Sequence, residues 1–295
     1  MFPAASPQLI DELLENPNVI TSGVFAYSGT ATRPANASDT WTVNGRWEWG
    51  SGCRNAAWIS GGVTLCDSDG SPILDKHQRP TEARAFFKPE EIEMHDDWHT
   101  SGLRGSGSNS YTAYNLEIPD YRVATVEALR ASALADSPIY RFPRFGYLAL
   151  PIGSIALGMA HDAIEEALGI AKSKTPTGSS RPLSSRPAFH RDVALAESSL
   201  RAARSLFYKD IETAWEEAQK TVGSLETRRL LRTSTVHAVT TAISIIDRMY
   251  TTVGGSSVYE ESALQRHFRD VHVAAQHMMV AEPVMELAGR VMSGI

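Results

Sequence analysis

Cysteine is nearly absent: Cys53 and Cys66 are the only two in 295 residues. That is too few for a disulfide framework, and both suit a reducing cytoplasm in which they fill space. Basic runs and basic–aromatic stripes are missing too, and the formal net charge is −6, which argues against nucleic acid as a partner. No apolar run approaches the roughly 20 residues of a membrane span. The opening, MFPAASPQLIDELLENPN, lacks the basic start and apolar core of a signal peptide. These absences predict a cytoplasmic protein without nucleic-acid or membrane partners. There is no internal repeat, and one stretch is loosely composed: KSKTPTGSSRPLSSRP, Lys172 to Pro187, which reads as a mobile loop between helices.

What is present changes period part-way along the chain. From about residue 23 to 120 the pattern is that of strands. WTVNGRWEW, Trp41 to Trp49, alternates large apolar with polar residues around Asn44-Gly45, a strong short-range hairpin signal. AAWISGGVTLC, a turn at Asp69-Gly70, ARAFF and YTAYNLEI continue the pattern, and short strands with regular turn signals predict a sandwich or barrel. From about residue 145 the apolar residues recur at helical spacing. Leu148 to Ala171, a segment carrying Ala196 to Ala218, another carrying Val236 to Val253, and Leu264 to Val291 predict an antiparallel four-helix bundle. The fold class expected is therefore α+β. Residues 1–22 form a connector, 23–135 a β-barrel or sandwich domain, and 136–295 the helical bundle.

Several motifs carry candidate chemistry. HDDWH, His95 to His99, superficially resembles a zinc-protease signature, but that signature requires a helix and a glutamate base. These residues lie between strands, so no metal is expected. GLRGSGSNSY is glycine-rich without opening a helix inside a βαβ unit. It is either a strand turn or a backbone nest whose Ser106 and Ser108 hydroxyls meet a polar ligand. WEWGSGCRNAAW sets Trp47, Trp49 and Trp58 around Ser51-Gly52, either as core or as a wall for a flat heteroaromatic ligand. No G-x-S-x-G elbow marks Ser51 as a hydrolase nucleophile. In the last helical segment, Arg269, Asp270, His272 and His277 interrupt two apolar faces, either as satisfied core polar groups or as the lining of a site.

Taken in order, VNGRWEWGSGCRNAAW, Trp98, GLRGSGSN, the strand ending at Pro119, and GGSSVYEESALQRHFRDVHVAAQH resemble the acyl-CoA dehydrogenase superfamily. Within it they are most similar to the oxygenase components of two-component flavin-dependent monooxygenases. The resemblance spans roughly residues 20 to 290. In many of the dehydrogenases a glutamate in a Glu-Gly-Thr context removes the substrate α-proton; aligned from Arg269-Asp270, Met278 stands there, and no Gly-Thr follows. In the monooxygenases a histidine at the place of His277 is the expected base, with Glu282 the remaining nearby carboxylate.

The resemblance implies reduced FMN or FAD supplied by a separate flavin reductase, O2, and hydroxylation of an aromatic or heteroaromatic small molecule. Ser51 would act beside the flavin or the transferring oxygen, with Trp49, Ser106 and Ser108 holding the isoalloxazine. Arg181 or Arg186 would reach the flavin phosphate of a neighbouring subunit, and Arg269 and Asp270 would fix the helix. A homodimer or homotetramer is implied. Relatives carry a helical N-terminal domain before the position of Phe2, so residues 1–22 are expected to be the joint to such a domain. The alternatives are an acyl-CoA dehydrogenase with a relocated base and an inactive shortened paralogue.

Overall fold

The computed structural model describes residues 6–36, 39–125, 128 and 136–294. The chain divides into two compact units: Met1–His99 with Arg104–Ala135, and Thr100–Leu103 with Asp136–Ile295.

The first unit is built on one seven-stranded mixed sheet of order β5-β6-β2-β1-β3-β4-β7. Its strands are β1 (Thr21–Thr32), β2 (Thr40–Trp47), β3 (Trp58–Cys66), β4 (Glu82–Phe87), β5 (Glu93–Met94), β6 (Tyr111–Pro119) and β7 (Val123–Thr125). β1 runs parallel to β3, and the other pairings are antiparallel. The core gathers Trp47, Ile59, Val63, Phe87 and Tyr111. Trp47 stacks on Tyr111 at 5.6 Å between ring centroids, and its indole N–H donates to the Gly62 carbonyl at 2.9 Å, which satisfies the one polar atom this ring brings inside. A preceding helix, α1 (Pro7–Leu14), starts at the Ser6 cap, whose hydroxyl accepts from Leu9 N–H, and packs Leu9 and Leu13 with Trp58, Phe86 and Ala124.

The expected hairpin at Asn44-Gly45 is not there. Both residues lie inside β2, where the pairing with β6 shifts register between Val43 and Gly45. Packing overrides the turn propensity. A Cβ on Gly45 would sit 2.7 Å from the Gly29 Cα opposite and 2.8 Å from the Trp47 ring, so glycine is required here by close approach rather than by a turn. Asn44 uses its side-chain oxygen to accept from Asn115 N–H at 2.8 Å. The Asp69-Gly70 turn does form, with Gly70 at φ +86°.

The second unit packs α2 (Arg144–Ser173), α3 (Pro187–Ala218), α4 (Leu225–Val253) and α5 (Ala263–Ala274) around one core. Small residues on α2, including Ala149, Ala156, Ala160 and Ala163, are fully buried and let neighbouring helices approach closely. By length and composition α2 is apolar enough to cross a membrane, a property the sequence expectation of no such run overlooked. Its alanine face lies in the bundle core.

The last helical segment also departs from expectation. Leu264 to Val291 is not one helix but α5 followed by α6 (Pro283–Met292), with residues 275–282 in turns. Pro283 has no N–H to donate and its ring would meet the carbonyl four residues back in a continuous helix, so the helix is interrupted and restarts with proline in its first turn.

Candidate functional site

Two stretches that the sequence leaves separate are stitched together in the β unit. After β2 the chain turns sharply through Trp49, whose φ of +66° is in the left-handed region, and that backbone is sparsely populated for a bulky side chain. The consequence is a division among the tryptophans. Trp47 and Trp58 are core, whereas Trp49 remains 46% exposed and meets Trp98 edge-on at 5.2 Å. The turn is then tied to the Ser106–Asn109 segment: Gly50 N–H donates to the Asn109 carbonyl at 3.1 Å and Gly52 N–H to the Ser106 carbonyl at 3.2 Å. Cys53, buried with its thiol pushed up by desolvation, points its sulfur at the same Asn109 carbonyl, 3.8 Å away.

Across this seam the three serines form a hydroxyl chain. Ser51 Oγ lies 2.7 Å from Ser108 Oγ, and Ser108 Oγ lies 2.8 Å from Ser106 Oγ. Ser108 is buried; Ser51 and Ser106 are exposed. Each hydroxyl can donate once and accept twice, so the direction of donation along the chain can reverse without movement of heavy atoms. An exposed aromatic face beside reversible hydroxyls suits a flat, polar-edged ring system, and Trp49, Ser51, Ser106 and Ser108 are brought together here.

HDDWH supports this seam from behind. Asp97 accepts from the Ser110 hydroxyl and from Ser110 N–H at 2.9 Å. Those bonds, with Arg46 beside them, hold its carboxyl below the usual carboxylate range. Asp96 pairs with Arg54 at 2.6 Å, and His95 meets the Thr112 hydroxyl at 2.8 Å. Among the described residues no cluster of three metal-binding side chains occurs. Asp97 and Asn109, whose side-chain oxygen accepts from Trp98 N–H at 3.0 Å, are positioning residues that sequence reasoning missed. Their partners lie 11 and 13 residues away, beyond the reach of a local turn signal.

In the helical unit, Arg269 and Asp270 do fix backbone. Asp270 Oδ1 accepts from Leu103 N–H at 2.6 Å, and Arg269 Nη1 donates to the Ser101 carbonyl at 2.9 Å. The start of GLRGSGSN is thus anchored on α5. His267, buried, meets Asp162 at 2.5 Å, and His272 meets Asp247 at 3.1 Å, so both are partnered structural polar groups. His277 is different in setting. It is half-buried in the break between α5 and α6, and burial pushes its imidazole below its ordinary value. Its Nδ1 accepts from Met279 N–H at 3.2 Å, and its carbonyl accepts from Val280 and Ala281 N–H at 2.9 and 3.0 Å. Met278 is 69% exposed. Arg181 and Arg186 are both exposed in the loop before α3.

Comparison with known proteins shows what this chain is similar to. Residues 150–282 match the model of the acyl-CoA dehydrogenase C-terminal domain. Over that segment the chain is similar to the acyl-CoA dehydrogenases. It is 29% identical over 255 residues to an indole-3-acetate monooxygenase of Pseudomonas putida, covering 85% of this chain and 62% of that protein. It is 28% identical over 305 residues to the oxygenase component of a p-hydroxyphenylacetate 3-hydroxylase of Acinetobacter baumannii, covering 98% of this chain and 68% of that one. The chain therefore spans about two thirds of the length of these relatives. Among solved structures, XiaF from a Streptomyces species, in complex with FADH2 and glycerol, superposes with a TM-score of 0.88 at 23% identity, over 100% of this chain and 74% of that one. The 3-HSA hydroxylase from Rhodococcus sp. RHA1 gives 0.86 at 24%, over 100% and 75%. The acyl-CoA dehydrogenase-like fold is thereby shown.

Proposed function

We propose that this chain belongs to the oxygenase component of a two-component, flavin-dependent monooxygenase. It takes reduced FMN or FAD from a separate flavin reductase in the cytoplasm and, with O2, hydroxylates an aromatic or heteroaromatic small molecule. The observation that carries the reading is the stitched seam of the β unit, with its exposed Trp49 and its Ser51–Ser108–Ser106 hydroxyl chain. The names of the relatives, which hydroxylate or oxygenate aromatic acids, support the substrate class. A homodimer or homotetramer, with Arg181 or Arg186 reaching the flavin phosphate of a second copy, is part of the same proposal.

The bound flavin would supply two-electron activation of dioxygen. The chain's own residues do the rest. Trp49 offers a flat apolar wall, and Ser51, polarised by Ser108 and Ser106, donates or accepts at the polar edge. His277 handles the acidic hydrogen of the substrate ring, whose loss makes the ring electron-rich enough to attack an electrophilic oxygen. A dehydrogenase with its base at the usual place would need a carboxylate where this chain has Met278, and a thioether cannot take a proton; the alternative therefore requires a base relocated to another helix.

The test is a coupled assay with a flavin reductase, NADH and 18O2 over a panel of phenols and indoles that includes p-hydroxyphenylacetate and indole-3-acetate. One 18O atom in a hydroxylated product supports the reading. NADH consumption that yields only peroxide across the panel, with no measurable binding of reduced FMN or FAD, overturns it in favour of an inactive paralogue.

A further inference from the structure

Three buried side-chain polar atoms find no hydrogen-bond partner among the described residues: Arg122 Nε, Arg232 Nε and Ser262 Oγ. Arg122 is compensated, because its Nη1 donates to Glu91 at 2.8 Å. Arg232 is not. Its guanidinium makes no hydrogen bond and no ion pair among the described residues. Burial pushes it below the ordinary arginine value, and no carboxylate acts in the other direction. A guanidinium stays protonated in proteins, so this is a largely buried positive charge without a counter-charge, which is costly unless an anion is brought to it.

Arg232 lines a groove of about 200 Å³ between α4 and α6. α4 contributes Arg228, Arg229 and Arg232, within one turn of each other; α6 contributes Val284, Leu287 and Val291, three and four residues apart and so from one helix face. One wall is therefore cationic and the other apolar, and none of the described residues lining the groove is acidic. The three arginines are not equally committed. Arg229 gives its Nε and Nη2 to the two carboxylate oxygens of Glu226, at 2.8 and 2.5 Å. Arg228 donates through Nε to the Gly223 carbonyl at 2.9 Å and is exposed. Arg232 alone has its whole fork of donors unassigned.

Charge and size together specify an occupant. A planar guanidinium matches a carboxylate with two parallel hydrogen bonds, and such charge-assisted bonds are roughly twice as strong as neutral ones. The apolar wall of α6 gains nothing from a bare inorganic anion and favours one that carries an apolar body. A cavity of about 150 Å³ holds a benzene ring, so this groove has room for one ring and a carboxyl group. We propose that the groove between α4 and α6 binds a small aryl carboxylate, its carboxylate held by Arg232 with Arg228 beside it and its ring laid against Val284, Leu287 and Val291. Such a ligand bridges the two helices and holds α6 against α4. The site is argued without the flavin reading, and its test needs neither flavin nor oxygen.

The probe is 3-phenylpropionate, titrated into the purified protein by calorimetry and followed by hydrogen–deuterium exchange with mass spectrometry. The neutral 3-phenylpropanamide and inorganic phosphate are the comparisons. The result expected is saturable binding of 3-phenylpropionate with slowed exchange in α6 and in the first turns of α4, and affinity at least about tenfold lower for the amide and for phosphate. Arg232→Met should weaken 3-phenylpropionate at least about tenfold without lowering the unfolding midpoint, since an unpaired buried charge is replaced by an apolar chain of similar length. Leu287→Glu, which keeps the arginine and sets a carboxylate on the groove wall, should also abolish binding while the midpoint holds or rises. No binding up to about 10 mM, phosphate bound as tightly as 3-phenylpropionate, or protection confined to other segments overturns the proposal. So does binding unchanged in either variant. A lowered midpoint in Arg232→Met overturns it as well, because the guanidinium would then have a partner within the protein.

Discussion

Substitution of one glycine should separate a packing role from a ligand-binding role within GLRGSGSN. Gly102 lies against α5. A Cβ built on it would be 2.7 Å from Asp270 N and closer still to the Arg269 carbonyl. All of these atoms are backbone, so no side chain can swing aside. Gly102→Ala must push the Ser101–Leu103 backbone away from α5. That motion breaks the 2.6 Å bond from Leu103 N–H to Asp270 and the 2.9 Å bond from Arg269 to the Ser101 carbonyl. Overpacking costs about 1–3 kcal/mol, and loss of a hydrogen bond to a charged group about 1.5–3 kcal/mol. The sum of those two ranges is about 2.5–6 kcal/mol. For a domain of this size it lowers Tm by about 5–24 °C. At Gly105 in the same motif an added Cβ would meet nothing within 4 Å, so Gly105→Ala should stay within about 0.5 kcal/mol. Urea unfolding followed by far-ultraviolet circular dichroism measures both. A loss below about 1 kcal/mol for Gly102→Ala, or equal losses for the two variants, would refute the packing argument.

Other expectations follow from the same geometry. Ser108→Ala removes the middle hydroxyl of the chain and should weaken reduced-flavin binding about tenfold, the worth of roughly one hydrogen bond, in an anaerobic titration; Ser108→Ala should leave the unfolding midpoint within a few degrees. Because burial lowers the folded-state value for His277, its contribution to stability should be fully present above about pH 6.5, the ordinary histidine value. That contribution should be lost as pH falls through the folded value, and His277→Gln should flatten this limb of the pH–stability curve. Asp97, also held low, has the same sign in the acid range: Asp97→Asn should be less stable near neutrality and differ little from the parent chain once Asp97 is protonated. Gly45→Val should destabilise by about 2–4 kcal/mol through its collision with Gly29 and Trp47, as read from urea unfolding.

How far the sequence could be read depended on whether a signal was local. Strand and helix periods are local, and β3, β4, β6 and the helices α2 to α4 fall where alternation or helical spacing put them. The bulge at Asn44-Gly45 was illegible because the reason for that glycine is Gly29 on the adjacent strand. The break at residues 275–282 was signalled by Pro283, yet the apolar spacing of Met278, Met285 and their neighbours obscured it. The serines were visible as candidates, but their joining into one hydroxyl chain depends on a contact between residues 51 and 108.

The central claim is that these residues hold reduced flavin so that its reaction with oxygen is controlled. Anaerobically reduced FMN mixed with the purified protein and then with oxygen in a stopped-flow spectrophotometer tests it most directly. The account expects a transient spectrum distinct from both oxidised and reduced flavin, outlasting the reoxidation of free FMN and shortened in Ser51→Ala. Reoxidation at the rate of free flavin, unaffected by Ser51→Ala or Ser108→Ala, would contradict it.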